Sequence, residues 1–292
     1  MKKSGELFIF ISILAFSISD LFDRVAVIET DPFLATLIKC IIICVFVFLF
    51  SLKEGFNLKG SAYFIASGFI SEIVGSVSFM QSLRYGISVA LPVIQSQVIF
   101  TALLSFLLLN ERLSKKAYGG VIVIFAGLAT LAYSQAYNSA VSNPIIGFGF
   151  ALIAAAGWGS GAVLWKMGLE HGASSDTGLI IHYLTAIAAL SFITVIRGNF
   201  YISAADTGNL FIAALLDGII GMVALIHSMR YISATRAQTL KSLYPLLACL
   251  LAFLIFKEPI TALMAAGMVI ATAGVILFEN GKNVIAQELQ GQ

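Results

Sequence analysis

The sequence predicts an all-α integral membrane protein, with ten transmembrane helices arranged as two inverted five-helix repeats. Three observations predict it. Of 292 residues, 59% are hydrophobic and 11% charged, and the mean hydropathy is +0.98; a soluble surface needs about twice that charge density. Apolar runs of about 20 residues, long enough to cross a hydrocarbon core, follow one another between short polar breaks. The second half also repeats the spacing of the first. Ten spans use about 200 residues, which excludes a sizeable soluble catalytic or cofactor-binding domain. The net charge of +2 gives no basic face for nucleic acid.

The first span, 6 to 27, follows Met1-Lys2-Lys3, lacks a small-residue cleavage site, and is read as a retained helix carrying Asp20 and Asp23. The second, 33 to 52, starts after Asp31-Pro32 and holds Lys39, Cys40 and Cys44. With Cys249 the cysteines are odd in number and fit no zinc spacing, so they read as packing material. The third, 61 to 83, lies between Lys53-Glu54-Gly55 and Arg84-Tyr85-Gly86 and carries Glu72. The fourth, 87 to 109, contains Pro92, Gln95 and Gln97, and the fifth runs from 116 to 135. The uncharged stretch from Ser134 to Asn143 divides the chain into repeats 1–137 and 138–292. Then come 145 to 165 with Trp158 and Trp165, 178 to 197 with His182, and 209 to 229 with Asp217 and His227. The last two are 233 to 256, with Gln238, Lys241, Tyr244 and Pro245, and 262 to 279, after Lys257-Glu258-Pro259.

Basic residues sort unevenly between the two faces. Lys2, Lys3, Lys53, Lys59, Arg112, Lys115, Lys116, Lys166, Arg230, Arg236 and Lys282 lie on the side of both termini. Arg24, Arg84, Arg197 and Lys257 lie opposite, and Lys39 and Lys241 fall inside spans. Eleven against four predicts cytoplasmic termini in a multi-pass protein of the cell membrane.

Ser82-Leu83-Arg84-Tyr85 returns as Ser228-Met229-Arg230-Tyr231, a shift of 146. Beyond the next turn the shift is 147: Phe106, Glu111, Gly120 and Gly127 fall on Phe253, Glu258, Gly267 and Gly274, and Ser114 falls on Thr261. Five helices is an odd number, so the second copy starts on the opposite face and runs inverted. Near-equivalent inverted halves can open a shared site to either face by rocking, which is how such repeats serve transport.

The run Leu107-Leu108-Leu109-Asn110-Glu111-Arg112-Leu113-Ser114 with Gly120 and Gly127, and its partner Phe256-Lys257-Glu258-Pro259-Ile260-Thr261 with Gly267 and Gly274, resemble the two EamA-type repeats of the drug/metabolite transporter superfamily. Gly157-Trp158-Gly159 and Lys166 are similar to that family's first-helix pattern. The first copy departs from it: Ser17-Ile18 stands in place of Trp-Gly, and Pro92 lies about two turns earlier in its repeat than Pro245. The resemblance implies a ten-helix transporter of small organic solutes with a central cavity.

Ionisable groups at membrane depth cost at least about 2.5 to 3.5 kcal/mol each, so each is a functional candidate. Glu72 lies on a stripe with Gly68, Ser71, Gly75, Ser78, Phe79 and Ser82, and Asp217 heads a stripe of Gly218, Gly221, Ala224 and Ser228. Small polar stripes suit either a cavity wall or close helix packing. Pro92 and Pro245 interrupt the fourth and ninth helices, the kind of break that points to a transporter site. Lys241 is the first candidate for a solute carboxylate or phosphate, or for pairing with Glu72 or Asp217 when the site is empty. The expected solute-binding set is Lys241, Glu72, Asp217, Gln238, Gln95, Tyr244, Asp20, Trp158 and Phe79. Lys39 reads equally as an ion-pair partner for the first helix or a solute contact. Asp23 reads as interfacial, His182 and His227 as packed, and Glu111 and Glu258 as structural. No catalytic constellation, metal spacing or cofactor motif is expected.

These features predict a secondary transporter of a small polar metabolite, amino-acid-like or otherwise zwitterionic, working by alternating access, with protons as the candidate coupling ion through Glu72 or Asp217. The alternatives are an exchanger or exporter of organic ions and a lipid flippase. An intramembrane enzyme lacks the motifs it would need.

Overall fold

Apolar length sets the architecture. The computed structural model describes residues 2–51, 58–109, 114–136, 143–172, 174–228, 231–232, 237 and 240–290, and of residues 2–4, 50–51, 135–136 and 282–290 the backbone alone. Among the described residues all regular structure is helical. The helices are α1 (Lys2–Ala26), α2 (Pro32–Ser51), α3 (Ser61–Leu83), α4 (Ile87–Leu109), α5 (Lys115–Ala136), α6 (Pro144–Glu170), α7 (Ser175–Arg197), α8 (Ala204–Ser228), α9 (Tyr244–Phe256) and α10 (Ala262–Gln290). Nine of these are long and apolar enough to cross a bilayer, and α9 is a shorter apolar tenth. Large apolar side chains such as Phe10, Phe48, Phe106, Phe125, Phe192 and Ile255 face outward, as lipid-facing surface requires.

The packing maps onto itself when the two halves are exchanged. α2 packs on α7, α4 on α9 and α5 on α10, each a helix against its own counterpart, while α1 packs on α8 as α6 packs on α3. The tightest of these pairs, α5 with α10, explains the glycines of the repeat. A Cβ at Gly120 would come within 2.5 Å of the Phe278 nitrogen, one at Gly127 within 2.5 Å of the Ala271 nitrogen, and one at Gly274 within 2.6 Å of the Ile124 nitrogen. Bare backbones are therefore what allow the two helices to touch. Ser114 Oγ accepts from the Ala117 nitrogen and Thr261 Oγ1 from the Met264 nitrogen, so the matched hydroxyls cap α5 and α10.

Two features were not visible in the periodicity. α3 and α8 are each wound as a wide π-helix in mid-span, over Phe69–Ser76 and Leu215–Gly221. The shift of 146 carries Phe69 onto Leu215 and Gly75 onto Gly221, so the wide turns coincide in the two repeats. α4 is interrupted at Gln95 and Ser96, and the ninth segment at Ser242 and Leu243, positions that the shift of 147 superposes. The prolines flank this shared break from opposite sides: Pro92 lies just before it, and Pro245 stands in the first turn of α9, where its missing N–H costs nothing. Pro245 therefore starts a helix and does not kink one, a correction to the expected span of 233 to 256. Residues 233–236 and 238–239, with the candidate Gln238, lie outside the described residues, as does Glu111.

Candidate functional site

A cavity of about 610 Å³ lies between the two halves. α1 contributes Phe16 and Asp20 to its wall, α2 contributes Thr36, Lys39 and Cys40, and α3 contributes Glu72, Ser76 and Phe79. Gln95 comes from α4, Trp158 from α6, Tyr183 from α7, Asp217 and Gly218 from α8, and Lys241, Tyr244 and Pro245 from the ninth segment. Eight of the nine candidates read from the sequence therefore meet in one space: Asp20, Glu72, Phe79, Gln95, Trp158, Asp217, Lys241 and Tyr244. The ninth, Gln238, is the residue outside the described set.

Each acid of the wide turns is held by a base from the opposite half. Glu72 Oε1 lies 3.0 Å from His182 Nε2 on α7, and its Oε2 accepts from Cys40 Sγ at 3.6 Å. Asp217 Oδ2 lies 2.8 Å from Lys39 Nζ on α2, and the same ammonium reaches Asp23 Oδ2 at 2.6 Å. Asp23 is fully buried, so the interfacial role expected for it is replaced by a buried ion pair. An unpaired ion at this depth costs several kcal/mol, and the bridging lysine offsets two of them. Lys241 pairs with neither Glu72 nor Asp217. Its Nζ lies 4.3 Å from the centre of the Phe16 ring, which also leans on Tyr244 at 5.8 Å.

Asp20 is 7% exposed, and its Oδ2 has no hydrogen-bond partner; Asp217 Oδ1 and Gln95 Oε1 are likewise buried and unpartnered. Gln95 Nε2 donates to Thr272 Oγ1 at 3.0 Å, so the amide is fixed while its oxygen stays available. Trp158 Nε1 donates to Ser76 Oγ at 3.1 Å, and its ring lies 5.0 Å from that of Phe79, forming one aromatic wall.

The small-residue stripe of α3 divides its duties. Ser67 Oγ donates to the Gly161 carbonyl, and Cβ atoms at Gly68 and Gly157 would collide with the backbones of His182 and Gly75. Gly68 and Gly75 are thus packing positions against α7 and α6, while Glu72 and Ser76 turn to the cavity.

The cavity extends toward the chain termini, past Val47, Ile226 and Glu279, which stand near the ends of α2, α8 and the apolar part of α10. The other end is sealed. Glu258 accepts from the Ile87 nitrogen at 3.1 Å and from the nitrogen and hydroxyl of Ser88 at 3.0 and 2.9 Å, capping α4 of the opposite half. Arg24 lies 3.5 Å from the same carboxylate, and Arg84 donates to the Val27 and Thr30 carbonyls. Glu258 stays outside the cavity, as its expected structural role requires, yet the helix it caps is α4.

Sequence reading missed Cys40 and Tyr183 as wall residues and His182 as the partner of Glu72. A signal existed for α2: Thr36, Lys39 and Cys40, Ile43 and Val47 recur every three or four residues around its one mid-span charge, and all line the cavity. No group of three or more His, Cys, Asp or Glu able to hold a metal occurs among the described residues.

Residues 3–133 and 145–279 each match the EamA-like transporter family. Protein LicB of Haemophilus influenzae is 24% identical over 219 residues, covering 72% of this chain and 73% of that protein. A Clostridium kluyveri protein described as an uncharacterized transporter is 23% identical over 290 residues, 94% of this chain and 93% of its own. A solved crystal structure superposes with a TM-score of 0.63 over 99% of both chains at 15% identity, a likeness of fold.

Proposed function

The chain belongs to the EamA-like transporter family, and from that membership we propose that it carries a small zwitterion of the amino-acid type, with the central cavity as its binding site. It is a membrane transporter whose described residues already place a cation and unsatisfied acid oxygens in one space. The observation that carries the proposal is that pairing: among the described residues Lys241 stands over the Phe16 ring and closes no ion pair within 4 Å, Asp20 Oδ2 has no hydrogen-bond partner, and both line a cavity whose volume suits a small molecule.

In this reading Lys241 takes the solute carboxylate, and Asp20 and Asp217 face its ammonium. Gln95 and Tyr244 supply hydrogen bonds, Phe79 and Trp158 wall the side chain, and Glu72, tied to His182, closes the remaining wall. Gln238 belongs to the same proposal through its sequence position, one turn before Lys241. The two repeats, divided near 137/138, rock so that the sealed and open ends exchange. The distribution of Lys and Arg supports a cell-membrane protein with cytoplasmic termini, which makes the state described here open to the cytoplasm.

Thermal-shift screening of purified protein against amino acids and related zwitterions, repeated with Lys241→Ala, tests the reading. A stabilising zwitterion that loses its effect on Lys241→Ala supports it. A ligand set restricted to permanently charged organic ions, indifferent to Lys241→Ala, replaces it with organic-ion transport.

A further inference from the structure

The sealed end is closed by a carboxylate of one half lying on a helix start of the other. Glu258 is 8% exposed, and its oxygens accept from the Ile87 nitrogen and from the nitrogen and hydroxyl of Ser88, two fully buried residues. Gly86 makes the approach possible: its φ of +120° suits glycine, and a Cβ there would stand 3.1 Å from Glu258 Oε2. Three donors suit an anion well. They belong, however, to the helix that has to part from α9 when this end opens.

A second partner stands beside Glu258 and is not yet bonded to it. Arg24 Nε lies 3.5 Å from Glu258 Oε1, and this nitrogen is buried with no hydrogen-bond partner among the described residues. The same guanidinium donates through Nη1 to the Arg84 carbonyl, at the end of α3. A buried donor left idle is costly, and the planar fork of an arginine matches a carboxylate. The idle nitrogen therefore needs a reason.

We propose that Glu258 is a latch with two partners: it caps α4 while this end is sealed and passes to the Arg24 guanidinium when the end opens. The proposal rests on the reading of two ends that open in turn, and it names the residues that exchange. α1 packs along α9, so Arg24 stays beside Glu258, while the start of α4 leaves with α6, its other neighbour. A buried carboxylate stripped of its donors is strongly destabilised. Arg24 replaces them at once, through Nε and through the Nη1 that the departing Arg84 carbonyl frees. Arg84 itself is only partly buried, so water can replace its bonds to the Val27 and Thr30 carbonyls. Arg24 is thus a positioning residue of the open state and not a clasp of the closed one.

Cys249 reports the latch without any solute. Its sulfur lies 3.9 Å from the Ile87 carbonyl and the residue is 1% exposed, so the start of α4 shields it and bares it on leaving. The full chain in detergent is treated with N-ethylmaleimide, and mass spectrometry of the labelled peptides reads Cys249 apart from Cys40 and Cys44. Ser88→Ala removes one bond of the seal and should speed labelling of Cys249 about tenfold. Arg24→Gln removes the waiting partner and should slow it about tenfold below wild type. Arg24→Lys keeps the charge without the fork, should slow labelling about threefold, and decides the matter if Arg24→Gln does not fold.

The direction of change separates a latch from a clasp. Cutting a clasp that only holds the closed end would bare Cys249, so faster or unchanged labelling in Arg24→Gln or Arg24→Lys overturns the proposal. Unchanged or slower labelling in Ser88→Ala overturns it as well. No zwitterion enters the measurement, so failure of the zwitterion reading in the thermal-shift screen leaves this result standing, and the reverse also holds.

Discussion

Glu72 and Asp217 occupy nearly the same place in the two repeats, each inside the wide turn of its helix, and each is held by a base from the second helix of the other half. His182 on α7 serves Glu72, and Lys39 on α2 serves Asp217. The geometry is duplicated while the chemistry is not. The lysine bridges two acids, whereas the histidine meets one and carries a charge only when protonated. The first pair becomes a neutral hydrogen bond when one proton moves; the second is an ammonium shared between two carboxylates. The lesson is that inverted halves can share a fold and still divide the labour of fastening and responding.

Lys39→Met breaks the comparison most severely, since it strands Asp23 and Asp217 in a buried site. A loss of about 3–5 kcal/mol is expected, read as a fall in monodisperse protein and in thermal unfolding temperature, with partial recovery in the double variant Lys39→Met/Asp23→Asn. If the single variant is as stable as the wild type, the bridge is not what holds the halves together.

The wide turns can be compared through their matched glycines. A Cβ at Gly75 would meet the rigid Trp158 ring at 2.5 Å, while one at Gly221 would meet the Leu216 carbonyl and Phe16 at 3.0 and 3.1 Å. Gly75→Ala should cost about 1–3 kcal/mol and disturb Trp158 fluorescence. Gly221→Ala should cost less than half as much; equal losses would show that the two turns are packed alike. Glu72→Gln gives the smallest effect, about 1 kcal/mol, because an amide still bonds a neutral imidazole. A loss equal to that of Lys39→Met would mean that the His182 pair is as ionic as its counterpart.

The ten spans and the repeat were legible in the sequence because hydropathy, the glycines at Gly120, Gly127, Gly267 and Gly274, and the matched Glu111 and Glu258 are local signals with fixed spacing. Eight cavity residues were legible for a related reason: polar groups at membrane depth are few, and most must face inward. The partners were not. Asp23 and Lys39 stand 16 residues apart, and Lys39 and Asp217 178, and nothing in an apolar helix declares which distant helix it will meet. The wide turns escaped notice because Phe69–Ser76 and Leu215–Gly221 contain no proline, and their matched glycines, Gly75 and Gly221, look in the sequence like the packing glycines of the other spans. Their winding depends on how the neighbouring helices pack.

Those wide turns also set a register. Phe69 maps to Leu215 and Gly75 to Gly221 without a gap, so the extra room in the backbone falls at the same place in both halves. The acids differ within it: one copy has Glu72, and the other has Asp217 at the position of Ser71. A shared widened turn thus lets each half place its charge one residue apart.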